Sequence, residues 1–517
     1  MTPRSEENVI RLDGETLTIE TVAEIALGPE HAVVLSDDAR ERMSASRALV
    51  ERWVESDEII YGVTTGFGEF ANVVIDRASI ETLQTNLIRS HAVGAGEAMP
   101  QPVIRAMIAL RANALAKGFS GIRVEVVEAL LTLLRADILP YVPTQGSVGS
   151  SGDLVPLAHL VLGLMGEGEV WMNGRLVPAS EGLAAAGVTP VRLRAKEGLA
   201  LINGTQLMTA YGSLALAKLK RLARTADVIG ALSVEALRGT DNAYAERLHL
   251  TRPHPGQLRV AANLRSLLAD SAIRESHRYN DDRVQDAYSI RCIPQIHGAS
   301  RDAIDYIDRA MAIEINSATD NPLIFADEES RIEGGNFHGQ PVALPLDMMA
   351  IAAAELANVS ERRTERLVNG ALSRLPRFLT ERGGLNSGYM IAQYTAAAIV
   401  SENKILSHPA SVDSIPTSAN QEDHNSMGSI AARKAFKVVD NLQTVLAIEY
   451  LCAVQGIDFL RPLRTTDALE EVHAALREHV PHLDDDRILY NDLRDARALI
   501  EQDVPFRAAF RHLSDLG

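Results

Sequence analysis

The sequence predicts a mainly α-helical protein, with a core of long helices and a smaller mixed region at its N-terminus. Aromatic residues make up only 4% of the 517 residues, although 46% are hydrophobic. The core must therefore be aliphatic and rich in alanine, which favours helices. Apolar residues also recur at helical spacing, and several apolar stretches are much longer than an average helix.

The N-terminal part of the chain combines strand and helix signals. Residues 17–25 (LTIETVAEI) and 31–35 (HAVVL) are rich in β-branched residues and favour strands. Residues 103–118 and 124–139 then show helical spacing, the first ending at a glycine and the second just before a proline.

Helical signals dominate the remainder, and we expect a boundary near residue 200, with regions 1–200 and 201–517. The long stretches are apolar on more than one face, which is typical of helices buried in a bundle or at a subunit interface. They are residues 205–238, 341–368, 389–408 and 428–455.

The net charge and the cysteine content indicate which binding partners and which cellular compartment to expect. The net charge is −17 and no basic run stands out, so neither nucleic acid nor an anionic membrane is an expected partner. The most apolar stretch, 342–359, carries Asp347 and Glu355, which argues against a membrane span. Two distant cysteines, Cys292 and Cys452, and an N-terminus without an apolar segment predict a cytoplasmic protein.

One motif, GSVGSSGDLVPLAHLVLGLMG at 146–166, could undergo an unusual backbone reaction. Asp153 can cap a helix that begins at Leu154, and the glycines before it free the backbone from Cβ restrictions. If the nitrogen of Gly152 attacks the carbonyl carbon of Ser150 and Ser151 loses water, the product is an electrophilic five-membered ring with an exocyclic methylidene. A Gly/Ser loop before a helix is the alternative interpretation.

The motif resembles that of the ammonia-lyases that build a 4-methylidene-imidazol-5-one (MIO) electrophile, and among them the histidine ammonia-lyases. Ser150 stands where the family usually has alanine. The resemblance covers about residues 20–465. Its further blocks are YGVTTGFG (61–68), NLIRSHAVGAG (86–96), FSGIR (119–123), KEGLALINGTQ (196–206), QDAYSIRCIPQ (285–295), GGNFHGQPV (334–342) and LSHPASVDSIPTSANQEDHNSM (406–427).

The resemblance implies deamination of an amino acid by MIO formed from Ser150, Ser151 and Gly152, without an external coenzyme. It leaves open whether the amine or the imidazole of the substrate attacks the ring. It also implies the long-helix fold of the ammonia-lyase and fumarase–aspartase-like superfamily, assembled as a homotetramer whose shared sites take Tyr61, the tripeptide and the Tyr288 block from different chains. The implied catalytic residues are Tyr61 as the base for the β-proton, Ser150, Ser151, Gly152, Tyr288 and Glu422.

Substrate contacts are implied in the same way. Arg291 would clamp the carboxylate with its planar fork, and Asn203 and Gln285 would lie near the ring and the substrate. Phe337 would form an aromatic wall. Asn203 could instead close a helix, and Phe337 could be simple core packing.

Two positions favour histidine as the substrate. Ser90-His91 stands where phenylalanine lyases have Phe-Leu and many tyrosine lyases have His-Leu, and His91 could hydrogen-bond an imidazole. Glu422 stands where those lyases have glutamine, and a carboxylate there can accept from the imidazole or the ammonium group.

Other functions remain open from the sequence alone. The family's 2,3-aminomutases and tyrosine ammonia-lyases share most of the motifs, and a helical scaffold without a ring is possible. A metal hydrolase using Glu422 and His424 is the weakest candidate. Consecutive residues rarely converge on one ion, so no metal site is expected.

Overall fold

The computed structural model describes residues 9–56, 58–66, 73–279, 281, 283–513 and 515–517. The expectations on the first eight residues, and on Phe67 and Gly68 of the YGVTTGFG block, fall outside these ranges. The structure is 60% helical, which confirms the predicted mainly α class.

Helices far outnumber strands in the described chain. The helices are α1 (Ile19–Leu27), α2 (Asp37–Glu55), α3 (Ile80–His91), α4 (Gln101–Ala116), α5 (Val124–Arg135), α6 (Leu154–Leu164), α7 (Ala179–Ala186), α8 (Glu197–Ile202), α9 (Gln206–Ala236), α10 (Glu246–Leu250), α11 (Pro255–Leu268), α12 (Ala272–Glu275), α13 (Tyr288–Arg291), α14 (Ile293–Glu314), α15 (Gln340–Val368), α16 (Gly370–Ser373), α17 (Met390–Leu406), α18 (Gly428–Asp458), α19 (Asp467–Arg477), α20 (Leu489–Glu501) and α21 (Val504–Phe510). The strands are β1 (Val9–Leu12), β2 (Ala32–Leu35), β3 (Ala95–Ala98), β4 (Leu139–Pro140), β5 (Pro143–Gln145), β6 (Glu169–Met172), β7 (Arg175–Pro178), β8 (Leu323–Phe325) and β9 (Ser330–Ile332).

The four long apolar stretches of the sequence are helices, namely α9, α15, α17 and α18. The strand predicted at 31–35 is present as β2, but the strand predicted at 17–25 is wrong, because this segment forms α1. Thr18 accepts a hydrogen bond from the Thr21 amide and caps the helix. Ile19, Val22 and Ala23 then fall on one buried face, so helical periodicity outweighs the strand preference of the β-branched residues.

The chain divides into two compact units. The first comprises Met1–Ala217, Asp308–Asp347 and Pro409–Arg433, and the second comprises Lys218–Ile307, Met348–His408 and Lys434–Gly517. The boundary expected near residue 200 stays a prediction, because compact units are not the same as independently folding domains.

All described strands lie in the first unit, where they form small sheets. β1 and β2 pair in parallel, with Val9 opposite Ala32, whereas β3–β5, β4–β6–β7 and β8–β9 are antiparallel. Helix α4 is buried from Val103 to Ala116 and packs against α1 and α5. Helices α3, α6 and α8 pack pairwise on one another, and the end of α3, the start of α6 and the end of α8 line one cavity.

The second unit has a charged network in its core. His297 of α14 lies 2.7 Å from Asp227 of α9, which also binds Arg301 at 2.7 Å. Arg363 of α15 forms a bidentate pair with Glu449 of α18, and all of these side chains are buried. Buried charges are costly unless they are paired, so these pairs disfavour any packing of the four helix segments that separates the partners.

Helix α15 is long and apolar enough to cross a membrane by length and composition alone. The structure buries 67% of the most apolar window of α15, and a buried core helix passes the same test of length and composition.

Candidate functional site

A glycine-rich turn between β5 and α6 carries Ser150 and Ser151. Gly152 adopts a φ of +77°, which residues with side chains rarely do. Its backbone pairs with Gly204, and a Cβ on Gly152 would lie only 2.3 Å from the Gly204 carbonyl oxygen. The position therefore requires glycine, as the sequence predicts.

The side chain of Asp153 does not cap its own helix α6, so the sequence-based prediction is wrong here. Its Oδ2 accepts the backbone N–H groups of Leu207 and Met208 in the first turn of α9, each at 3.0 Å. Its Oδ1 accepts the Ser147 hydroxyl at 2.9 Å. Burial raises the pKa of Asp153 to about 7, against the lowering effect of these hydrogen bonds. Asp153 thus ties the glycine-rich turn to the start of α9.

Both serines of the tripeptide hydrogen-bond to one carboxylate. Ser151 Oγ donates to Glu422 Oε1 at 2.6 Å, and Ser150 Oγ donates to Oε2 at 2.9 Å. Thr417 Oγ1 donates to the same Oε2 at 2.6 Å. Burial would raise the pKa of Glu422, but the three hydroxyl donors and nearby His91 outweigh it and lower this pKa. Glu422 is therefore an ionised acceptor at neutral pH.

Asn203 holds the tripeptide from the other side. It follows the last residue of α8, so the helix-closing interpretation is correct, and its Nδ2 also donates to the Ser151 carbonyl at 2.7 Å. Its own carbonyl accepts Arg111 Nη1 at 3.0 Å. Arg111 is fully buried, and burial lowers its pKa to about 10, with Asp320 acting in the opposite direction. The side-chain Oδ1 of Asn203 is buried and has no hydrogen-bond partner within the described residues.

The serines and the carboxylate face a cavity of about 810 Å³ in the first unit. Apolar side chains, Leu87, Leu154, Leu199 and Ile202, form part of its wall. Seven residues predicted from the sequence line it together: Tyr61, His91, Ser150, Ser151, Asn203, Phe337 and Glu422.

His91 is the last residue of α3 and is partly buried. Its Nδ1 lies 3.1 Å from the Ser90 hydroxyl. Burial lowers the pKa of His91, although its hydrogen bond to Leu87 and the charge of Glu422 act against this. The imidazole is therefore neutral near pH 7 and can offer one donor and one acceptor.

Tyr61 lies in a turn between two fully buried residues, Ile60 and Val63, which anchor it in an apolar cluster. Thr64 tightens this turn, because its hydroxyl accepts the Ile60 amide at 2.8 Å. Tyr61 and Ser151 line one cavity of a single chain. The expectation that Tyr61 and the tripeptide come from different chains is therefore wrong.

Phe337 is partly exposed and lines the cavity, so it is not simple core packing. Sequence reasoning missed its neighbour His338, whose ring stacks on His424 with centroids 5.8 Å apart. His338 Nε2 also lies 3.1 Å from the His424 carbonyl oxygen. The GGNFHG and NQEDH blocks were each visible in the sequence, but their proximity was not. Within the described ranges, no three His, Cys, Asp or Glu residues converge as metal ligands.

Gln285, Tyr288 and Arg291 belong to the second unit and do not line this cavity. Tyr288 begins α13 and is 70% exposed, and the Arg291 guanidinium lies 4.8 Å from the centre of its ring. Arg291 and Gln285 line a second cavity of about 430 Å³, together with Arg274, Arg278 and Arg283. The Nε of Arg291 is buried without a partner in the described part of the chain. Asp281 and Asp286 also line this cavity, and Arg274, Arg278 and Arg283 form ion pairs with Asp241 or Asp281. The Arg291 guanidinium is therefore the group in this cavity that can receive an anion.

Comparisons with known proteins identify similar chains. The sequence profile of the family described as aromatic amino acid lyase matches residues 17–478. A histidine ammonia-lyase of Caldanaerobacter subterraneus subsp. tengcongensis is 53% identical over 482 residues, 93% of this chain and 94% of that protein. The crystal structure of histidine ammonia-lyase from Trypanosoma cruzi superimposes with a TM-score of 0.91, at 46% identity, over 98% of this chain and 95% of that one. A tyrosine aminomutase from Streptomyces globisporus gives a TM-score of 0.91 at 39% identity, over 97% and 98% of the two chains.

Proposed function

Since this chain belongs to the aromatic amino acid lyase family, we propose that it is a histidine ammonia-lyase, a carbon–nitrogen lyase that converts L-histidine to trans-urocanate and ammonia. The observation that carries the choice of substrate is that His91 and Glu422 line the same cavity as the Ser150–Ser151 pair. The similar histidine ammonia-lyases support it.

The residues present fit a ring made from Ser150, Ser151 and Gly152. Gly152 has the backbone conformation and close packing that exclude a side chain, and Asn203 Nδ2 binds the Ser151 carbonyl that would become the ring carbonyl. The unpartnered Oδ1 of Asn203 offers a further acceptor beside the tripeptide. The MIO group made this way supplies an electrophilic methylidene carbon that activates the amino acid for loss of ammonia.

The side chains around the tripeptide perform the remaining tasks. We assign removal of the β-proton to Tyr61, which its two buried neighbours hold at the cavity wall. Asn203 Nδ2 binds the Ser151 carbonyl oxygen and keeps it in place. Arg111 in turn fixes Asn203, because it donates a hydrogen bond to the backbone carbonyl of that residue. Phe337 and the apolar wall replace part of the water around the tripeptide, so electrostatic interactions there are stronger than in bulk solution.

Recognition of the imidazole falls to His91 and Glu422. The Ser90 hydroxyl lies next to Nδ1 of His91, so we assign Nε2 to the substrate. The lowered pKa of Glu422 keeps it ionised, and it can accept from an imidazole N–H or from the ammonium group. A phenyl ring would leave both groups without this partner, and a phenol offers one hydroxyl in place of two ring nitrogens.

The substrate carboxylate is assigned to Arg291, whose guanidinium can bind it with two parallel hydrogen bonds. Tyr288 and Gln285 accompany it in the second unit. We propose a cytoplasmic homotetramer in which Arg291 of the partner subunit completes the site. Exposed apolar side chains on α15 and α17 support a covered face, since monomers rarely expose large apolar patches. These are Met348, Ile351, Ile391, Tyr394 and Ile405.

The test is turnover of L-histidine by the purified protein, followed by the rise in near-ultraviolet absorbance of the conjugated product. The expected result is a rise with histidine and little with tyrosine or phenylalanine. No rise with histidine would refute the proposal, and a rise with tyrosine alone would make the protein a tyrosine ammonia-lyase.

A 2,3-aminomutase is the second candidate, favoured by the structural similarity to the Streptomyces globisporus enzyme. It would return the amine to the β-carbon. Chromatography of the products distinguishes the two, because a mutase yields a β-amino acid and a lyase yields free ammonia.

A further inference from the structure

Closure of the tripeptide removes one particular oxygen atom, Ser151 Oγ, and the structure shows what this atom binds. Ser151 Oγ donates a hydrogen bond of 2.6 Å to Oε1 of Glu422. The nearest carboxyl group in sequence, Asp153, is turned elsewhere, because its oxygens accept the Ser147 hydroxyl and two backbone amides of α9. Glu422 is therefore the carboxyl group in contact with the hydroxyl that must leave.

The position of this carboxylate is fixed from several sides. Thr417 and Glu422 pair through their backbones, with the Thr417 amide donating to the Glu422 carbonyl at 3.0 Å. The Thr417 hydroxyl binds Oε2 at 2.6 Å, and the Ser150 hydroxyl binds the same oxygen at 2.9 Å. Oε1 is left facing Ser151. An acid or base contributes to a reaction only when it is held within hydrogen-bond reach of the proton it transfers, which is the case here.

We propose that Glu422 has a second role, before any substrate binds: it transfers the proton that lets the Ser151 hydroxyl leave as water during ring closure. This inference rests on the proposed function, since it presumes that the tripeptide closes.

The step balances in atoms and electrons. Closure joins the Gly152 nitrogen to the Ser150 carbonyl carbon, whose oxygen leaves as water with the two amide hydrogens of Ser151 and Gly152. In the second loss, the Cα–H and Cβ–Oγ bonds of Ser151 break, and the electron pair of the C–H bond becomes the second Cα–Cβ bond. The ionised Glu422 takes up the proton released at Cα and delivers it to the departing hydroxyl, which leaves as water, so the carboxylate ends in its starting form. No oxidant or other reactant is needed.

Ser150 acts in this step as a positioning residue. Its hydroxyl is buried and binds Oε2, so it helps to aim Oε1 at Ser151 without touching the leaving hydroxyl. The resemblance places alanine here in most relatives, and Thr417 supplies a second donor to the same oxygen. Loss of the Ser150 hydroxyl should therefore slow closure by no more than a few-fold.

The experiment follows closure by mass and does not use turnover. The full chain is made by cell-free synthesis, samples are denatured at intervals, and the tryptic peptide 136–175 is weighed. A closed peptide is lighter by two waters. In Glu422→Gln, which accepts a hydrogen bond but cannot carry the proton, we expect closure about 100-fold slower than in the parent chain, within the roughly 10²–10⁴-fold that a positioned acid or base contributes.

Asp423→Asn is the matched control, because Asp423 is the adjacent carboxyl group and lines the same cavity. It should close at the parent rate, and far-ultraviolet circular dichroism should show all chains folded. If Glu422→Gln does not fold, Glu422→Ala with added formate replaces it, and formate should restore closure.

The outcomes separate the inference from the proposed function. Closure of Glu422→Gln at the parent rate overturns the inference while leaving the proposed function intact, and so does equal slowing in Asp423→Asn. Failure of formate to restore closure in a folded Glu422→Ala chain also overturns it. If the parent peptide retains the mass of both waters, the proposed function is refuted, and so is the inference that rests on it.

Discussion

Replacing Gly152 by alanine should lower the free energy of unfolding by about 2–5 kcal/mol. Two costs add at this position. The left-handed backbone, with a φ of +77°, costs a side-chain-bearing residue about 1–2 kcal/mol. The new Cβ would also lie 2.3 Å from the Gly204 carbonyl oxygen and 2.5 Å from its nitrogen, and overpacking of this kind costs about 1–3 kcal/mol.

A matched control separates these two costs. Gly174 has nearly the same φ, +74°, and nothing lies within 4 Å of the Cβ that alanine would add. Gly174→Ala should therefore lose only the about 1–2 kcal/mol of backbone strain. The difference between the two variants measures the close approach of the tripeptide to Gly204.

The assay is urea unfolding followed by circular dichroism, at one protein concentration. Both substitutions are made in a Ser151→Ala background, so that ring closure affects neither the reference nor the variants. The reasoning is refuted if Gly152→Ala is no more destabilising than Gly174→Ala, because the packing against Gly204 would then carry no energetic weight.

Four further predictions concern activity and pH. Ser151→Ala should abolish both the loss of two waters and nearly all turnover while the circular dichroism spectrum is retained; a light peptide in this variant would contradict the ring assignment. Ser150→Ala should keep turnover of histidine. An inactive enzyme would mean that the three residues that form the ring are misassigned. His91→Phe should lower kcat/KM for histidine by about 10-fold, or about 1.4 kcal/mol for one lost hydrogen bond, and an unchanged ratio of histidine to phenylalanine turnover would exclude His91 from selectivity. Because burial raises the pKa of Asp153 from 3.8 to about 7, its ionisation penalises the folded state, and stability is lost as the pH rises between these values. Asp153→Asn should remove about 4 kcal/mol of this pH dependence in urea unfolding, and parallel profiles for the two proteins would contradict it.

Helices were predictable from the sequence where one signal was strong. The long apolar stretches that became α9, α15, α17 and α18 are periodic over many turns, so local sequence and fold agree there. The segment that became α1 failed because its β-branched residues favour a strand locally, while the Thr18 cap and its buried face favour a helix. The buried face of α1 packs against α4, a long-range contact that no local pattern specifies.

The sequence allowed us to predict which residues form the site, but only part of how these residues are arranged. Seven predicted side chains do share one cavity, because each motif lies at an element end or in a turn of the first unit. The partners that depend on distant parts of the chain were missed: Asp153 binds the start of α9, Thr417 binds Glu422, and Arg111 binds the end of α8. None of these has a local pattern that specifies the partner, since tertiary packing brings the groups together.

The attachment of Arg111 has a consequence for altering substrate range. Its guanidinium binds the Ala200 carbonyl, the Asn203 carbonyl and the Gln206 side chain, so it clamps the junction between α8 and α9 independently of the side chains that project into the cavity. Leu199 and Ile202 belong to this clamped segment and line the cavity. A redesign of the pocket can therefore target these two positions, because Arg111 still holds the backbone beneath the Ser150–Gly152 tripeptide.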